Sequence, residues 1–206
     1  MSRFVTIELL VAHHRAAGDP GAAAEFMALL LPLQEPNAAI TTAYALAELA
    51  EKELSAPELV ENSLRHALAL DPSRAETRSR LRKHLTATES WAPLASLLEE
   101  EAQLIQGLPE QAALLREVAR LRAQTLGDPA SAVALLERVV RLVPADREAL
   151  LALCDLYVAA GRSGDAIPVL EKLIASYGGR RAKEVAVYEH RLGQAFEGLN
   201  RPEDAL

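Results

Sequence analysis

Five histidines and one cysteine are the side chains best suited to metal binding or nucleophilic chemistry: His13, His14, His66, His84, His190 and Cys154. His13 and His14 are adjacent, so on a helix they point to different faces. No other pair has the spacing of three or four residues that a helical metal site requires. The sequence therefore predicts no metal site. The lone cysteine lies in an apolar helical run, and we expect it to be a small core residue.

Three other segments contain groups that could support catalysis or anion binding. The carboxylates of Glu99-Glu100-Glu101 are consecutive, so on a helix they splay apart and suit a solvated face better than acid–base chemistry. Ser163 lacks the glycine spacing of a nucleophile elbow and is predicted to be a helix N-cap. Gly178-Gly179-Arg180-Arg181 is predicted to be a helix C-cap and connector, with an anion-binding nest as the alternative. We expect neither an enzyme nor a bound cofactor.

The strongest local charge signal is a run of basic residues that only Glu76 interrupts: Arg74, Arg78, Arg80, Arg82, Lys83 and His84. One interpretation is a solvated helix surface with charge pairs four residues apart. The other is a docking surface for an acidic partner. Nucleic acid is disfavoured, since the net charge is −7 and aromatic residues for stacking are scarce.

The composition predicts a helical protein. Half of the 206 residues are apolar, only 4% are aromatic, and Ala and Leu, the best helix formers, are abundant. Glu8 interrupts the short apolar stretch at the N-terminus, so no signal peptide is predicted, and no run is apolar enough for membrane insertion. We therefore expect a cytoplasmic location, and the Ala-, Leu- and Arg-rich vocabulary is typical of a bacterial chain.

A repeated pattern organises the helices. A residue at the start of a Leu-rich helical face recurs with steps of 37, 34, 38, 34 and 39 residues, at Ala23, Val60, Leu94, Ala132, Ala166 and Ala205. The tripeptide Gly-Asp-Pro, which ends one helix and begins the next, occurs at 18–20 and again at 127–129. A period in the mid-thirties with such short turns predicts stacked antiparallel helical hairpins. A small residue such as Ala166 is expected where two helices cross closely.

These positions resemble the tetratricopeptide repeat family. Segment 147–180 carries its residues best, at Leu153, Cys154, Tyr157, Gly161 and Ala166, and segment 186–206 has Leu192, Gly193, Phe196 and Ala205. The resemblance implies an all-α fold: an α-solenoid of about five and a half hairpins in a right-handed superhelix. It places one array over 1–206, with repeats at about 4–40, 41–74, 75–108, 113–146, 147–181 and 186–206. Because Ala119 lies one place early, the fourth repeat is expected to have a longer first helix.

In this family the first helices of successive repeats line a concave groove that binds a protein or peptide. Carried over by position, the groove residues are Ser79, Arg80, Lys83, Glu117, Leu121, Leu151, Asp155, His190 and Gln194. Their mixed character suits a segment with alternating polarity. The positions that bind C-terminal carboxylates in some family members hold Ala45, Leu46 and Leu49, so that mode is disfavoured.

Three functional hypotheses remain open. The favoured one is an interaction scaffold that uses this groove. The second is a regulatory or targeting domain of a larger protein or enzyme that continues beyond Leu206, since the sixth repeat stops where its second helix begins. The third is self-association through the open C-terminal repeat, at Leu192 and Phe196.

Overall fold

The computed structural model of the chain describes residues 3–178 and 183–198. Over these two ranges the regular structure is entirely helical, without a strand. This confirms the expected all-α helical repeat fold. Two sequence predictions lie outside the described residues: the connector Gly179-Arg180-Arg181 and the repeat position Ala205.

The described residues form eleven α-helices: α1 (Arg3–Ala16), α2 (Pro20–Leu30), α3 (Pro36–Leu49), α4 (Pro57–Leu70), α5 (Ala75–Ala87), α6 (Trp91–Leu104), α7 (Leu108–Gln124), α8 (Pro129–Leu142), α9 (Arg147–Ala159), α10 (Ser163–Ala175) and α11 (Lys183–Gly198). A short 3₁₀ helix, Leu31–Leu33, follows α2, and a π-helical segment, Ala50–Leu54, continues α3. The helices cluster into two compact units, residues 1–94 and 95–206.

Each unit has its own apolar core, in which consecutive helices pack against each other. In the first unit the core holds Ala23, Met27, Ile40, Ala43 and Leu46, from α2 and α3, with residues of α4. In the second unit, residues of α8, α9 and α10 form the centre of the core. Ala23, Ala132 and Ala166, three of the positions that mark the repeat, have no exposed surface. Small side chains stand at these positions because they allow two helix backbones to approach closely.

The Gly-Asp-Pro turns form as their residues predict. Gly18 and Gly127 end their helices with φ of +70° and +64°, a left-handed conformation that glycine adopts without a steric penalty. The following Asp19 and Asp128 accept hydrogen bonds from the backbone N–H groups of Ala22 and Ser131. A proline then occupies the first position of α2 and of α8, where its missing N–H costs nothing.

Three local details differ from or refine the sequence prediction. Ser163 is not the N-cap of α10 but its first residue, because Arg162 occupies the cap position. The first helix of the second hairpin starts at Pro36, ahead of residue 41, and ends after the π-helical segment at Ser55, with φ of +49°. The first helix of the fourth hairpin, α7, has 17 residues against 13 in α9, which agrees with the expected extra length.

Candidate partner-binding faces of the first helices

All nine predicted groove residues lie on first helices of hairpins. In the first unit, α5 carries Ser79, Arg80 and Lys83. In the second unit, each of three first helices carries two of them: Glu117 and Leu121 on α7, Leu151 and Asp155 on α9, and His190 and Gln194 on α11. The two sets are described separately below.

In the first unit, a cavity of about 280 Å³ lies among α3, the π-helical segment, α4 and α5, and Arg80 and Lys83 line it. Arg80 is held in place. Its Nη2 lies 2.8 Å from Oε1 of Glu76, its Nη1 lies 3.6 Å from Oε1 of Glu48, and its guanidinium lies 4.3 Å from the ring centroid of Tyr44. Two exposed lysines line the cavity, Lys52 and Lys83, and Nζ of Lys52 lies 3.6 Å from Oε2 of Glu48. Ser79 is exposed and does not line the cavity.

The basic run on α5 is not one continuous exposed surface. Arg78 is only 7% exposed, and its Nε and Nη2 donate hydrogen bonds of 2.9 and 2.6 Å to the carbonyl oxygen of Pro72. Its charge therefore stabilises the turn between α4 and α5. The interpretation of the basic run as a solvated helix surface is therefore wrong for Arg78, because its side chain is directed towards the preceding turn rather than to solvent.

In the second unit, a cavity of about 320 Å³ lies between α9 and α11 at the start of α10. The cavity joins the predicted Asp155 and Gln194, which come from successive repeats. Its lining also includes two residues that the sequence prediction did not single out, Val158 and Arg191. Nη1 of Arg191 lies 2.8 Å from Oδ1 of Asp155, and Val158 is 54% exposed. Their signal in the sequence was helical spacing, since each lies on the same face of its helix as a predicted residue.

The other predicted residues of the second unit do not line this cavity. Leu151 is half-buried and packs against the core, while Leu121 and Glu117 are half-buried on α7. His190 is exposed on α11. The structure thus brings together two of the six predicted residues of this unit in one concave site.

The cysteine and the glutamate cluster that were considered for chemistry take part in packing and in an ion pair. Cys154 has no exposed surface and belongs to the core, where burial raises the pKa of its thiol and keeps it protonated. Oε1 of Glu99 accepts a hydrogen bond of 2.7 Å from Nε of Arg122, whereas Glu100 is exposed, so the carboxylates do splay apart.

Within residues 3–178 and 183–198, no group of three His, Cys, Asp or Glu side chains is placed to hold a metal ion. Among the helices described, none combines the length and apolar character that a membrane span requires.

A family model described as tetratricopeptide repeat matches residues 123–185, which contain α8, α9 and α10. This part of the chain therefore resembles the tetratricopeptide repeat family. Proteins of this family generally mediate protein–protein interactions and are typically non-enzymatic scaffolds. The matched range includes four of the residues that line the α9–α11 cavity: Asp155, Val158, Ala159 and Ser163.

Several solved structures are similar to this chain. YrrB, described as a TPR protein with an unusual peptide-binding site, is 18% identical, with a TM-score of 0.48 over 84% of this chain and 88% of that chain. The pilF protein of Pseudomonas aeruginosa is 19% identical, with a TM-score of 0.45 over 98% and 88%. PilW, described as a type IV pilus biogenesis factor, is 17% identical, with a TM-score of 0.46 over 100% and 90%. No curated protein matches the chain significantly.

Proposed function

We propose that this chain is an interaction scaffold that binds a protein or peptide partner along the exposed faces of its first helices. The observation that carries the proposal is the cavity between α9 and α11. Asp155 and Gln194, predicted from equivalent positions of successive repeats, line it together with the exposed Val158. Such a combination of apolar surface and a few polar groups is typical of a recognition site.

The chemistry of the two cavities favours a peptide or protein over a small metabolite. Both are small, at about 280 and 320 Å³, and both are lined by residues of a first helix. The first unit offers a mixed charged surface around Lys83, and the second offers an apolar surface beside an ion pair. Each unit thus has its own small recognition site on neighbouring hairpins, and repeat proteins bind protein partners through such helix surfaces. With a net charge of −7, the chain lacks the overall basic character that nucleic acid binding requires.

Site-specific photo-crosslinking in cells that naturally produce the chain tests the proposal. A photoreactive phenylalanine analogue is placed singly at Lys83, His190 or Gln194, which are exposed on first helices. Matched control positions are Glu171 and Lys172, which are exposed on the second helix α10. Scaffold binding predicts that one defined protein is crosslinked from the first-helix positions and not from the control positions.

A folding control and the α10 control positions make the result interpretable. Circular dichroism of each purified variant verifies that the helices remain folded. Equal crosslinking from α10 and α11 would place the partner elsewhere on the repeats, and no crosslinked product from any first-helix position would contradict the proposed function.

A further inference from the structure

The cavity of the first unit has two charged walls and an apolar base. Residues on one face of α5 form the first wall: Arg80, Lys83 and His84. The end of α3 and the π-helical segment form the second wall: Glu48, Glu51 and Lys52. Two apolar side chains of α4 form the base: Val60 and Leu64. Because π-helical turns are rare and are frequently found at functional sites, the turn that carries Glu51 and Lys52 supports a binding role for this cavity.

Most of the charges in this cavity already have a partner. Glu48 lies between two cations, with its Oε1 3.6 Å from Nη1 of Arg80 and its Oε2 3.6 Å from Nζ of Lys52. Lys83 and Glu51 are exposed, and neither forms an ion pair with a residue that the structure describes. Lys83 is therefore the lysine of this cavity whose charge no carboxylate compensates.

The charges of the lining favour a ligand with one negative charge. The lining carries three positive charges, on Lys52, Arg80 and Lys83, and two negative charges, on Glu48 and Glu51. It thus has one positive charge in excess, which a single carboxylate at Lys83 would balance. A cluster of carboxylates would bring further negative charge close to Glu51, and such contacts between like charges are unfavourable at an interface. Charge complementarity therefore favours a partner segment with one acidic residue over a polyacidic one.

The base of the cavity suits an apolar side chain. Val60 and Leu64 are only 4% and 3% exposed, so the surface that they offer to a ligand lies inside the cavity. A cavity of about 150 Å³ is large enough to hold benzene. At about 280 Å³, this cavity has room for one complete apolar side chain. A ligand can therefore bury an apolar side chain against α4 while its carboxylate lies at the charged wall.

We propose that the first-unit cavity binds a peptide segment that inserts one apolar side chain against Val60 and Leu64 and places a single carboxylate at Lys83. Arg80 keeps its contacts to Glu76 and Glu48 and supplies a fixed positive charge beside this carboxylate. This inference rests on the proposed function, because it specifies a ligand of the same scaffold.

A random dodecapeptide library displayed on phage and selected on the immobilised chain tests the proposal. The enriched peptides are expected to share one acidic residue and one apolar residue, without a second acidic residue. Lys83→Glu should weaken the binding of a synthetic enriched peptide by about fivefold or more, because an attractive contact is replaced by a repulsive one. The matched control is Lys172→Glu, a charge reversal at an exposed lysine of α10, which should leave the affinity unchanged.

Two further selections provide readouts that a purely structural role of Lys83 would not change. Selection on Lys83→Glu should enrich peptides with Lys or Arg in place of the acidic residue. Selection on Glu51→Gln should admit a second acidic residue, because the repelling carboxylate is gone. Replacing the apolar residue of the synthetic peptide by Ser should weaken its binding to the wild-type chain. Circular dichroism verifies that all variants remain helical.

The possible failures are distinguishable. Enriched peptides that bind Lys83→Glu as well as the wild type, that contain several acidic residues, or that lack a common apolar residue would overturn this inference and leave the scaffold function standing. No enrichment above an unrelated protein would also overturn this inference. The scaffold function itself is contradicted only if the crosslinking experiment yields no product either.

Discussion

The phenol of Tyr157 on α9 donates a hydrogen bond of 2.7 Å to Oε1 of Glu137 on α8. Tyr157 is the aromatic residue of its repeat, and it is only 6% exposed. The guanidinium of Arg162 lies 4.7 Å from the centroid of the same ring, just before α10 begins. One side chain therefore connects the second helix of one hairpin with the first helix of the next and with the turn that follows it.

Because of this contact, the free energy of unfolding should decrease as the pH rises in the alkaline range. Burial, and then the hydrogen bond to the Glu137 carboxylate, raise the pKa of Tyr157 to about 12 from an ordinary value of 10.0. The folded chain thus retains a proton that the unfolded chain loses above pH 10, so the stabilisation is complete below pH 10 and is lost as the pH rises to about 12. Compared with Tyr157→Phe, the wild type should lose about 2 kcal/mol of unfolding free energy between pH 9 and 11.5, measured by urea denaturation. Parallel pH profiles of the two proteins would contradict this expectation.

A substitution at Ala166 tests whether α9 and α10 pack closely at this residue. The residue has no exposed surface, and an arginine there must both overpack the contact and bury a charge. Ala166→Arg should therefore cost more than the roughly 1–3 kcal/mol that is typical of overpacking alone. The matched control is Ala175→Arg on the same helix, where the alanine is exposed and little change is expected. Equal melting temperatures for the two variants would show that the packing register is wrong.

Asp19 tests helix capping. Its carboxylate accepts the Ala22 N–H at 3.0 Å, and Asn caps helices about as well as Asp. Asp19→Ala should lower the unfolding free energy by about 1 kcal/mol, whereas Asp19→Asn should change it by no more than a few tenths. Chemical denaturation of the two variants under one set of conditions measures the difference. A similar loss in both would mean that the carboxylate charge, rather than the cap, stabilises the turn.

Arg78 tests whether a buried guanidinium stabilises the turn before α5. A lysine has a single ammonium group and cannot reproduce the two hydrogen bonds that Nε and Nη2 make to Pro72. Arg78→Lys should therefore cost about 1.5–3 kcal/mol, the range for hydrogen bonds that involve a charged group. Arg74→Lys is the control, because Arg74 contacts Asp71 at 3.6 Å in a partly exposed pair worth little. Thermal melts that shift equally for both variants would rule out a special role for Arg78.

Several features of the molecule were predictable from the sequence because they depend on local interactions. The turns at Gly18 and Gly127 follow from the left-handed backbone that glycine allows, and the caps at Asp19 and Asp128 involve residues only three positions apart. The burial of Ala166 follows from helical periodicity and the repeat. Ser163 was misassigned by one position, since the cap geometry and not the residue type decides where a helix begins.

The contacts between helices were decided only by the tertiary structure. Periodicity tells on which face of a helix a residue lies, but not which residue of another helix comes within bonding distance. The sequence thus placed Asp155 and Gln194 on first helices, while the packing of α9 and α11 on α10 brought Asp155 to Arg191 and left Val158 exposed beside them. In the same way, the packing buried Arg78 in spite of its charge, because the Pro72 carbonyl lies within its reach. The repeat architecture follows from local, periodic information, whereas the chemistry of its surface depends on distances between residues far apart in the sequence.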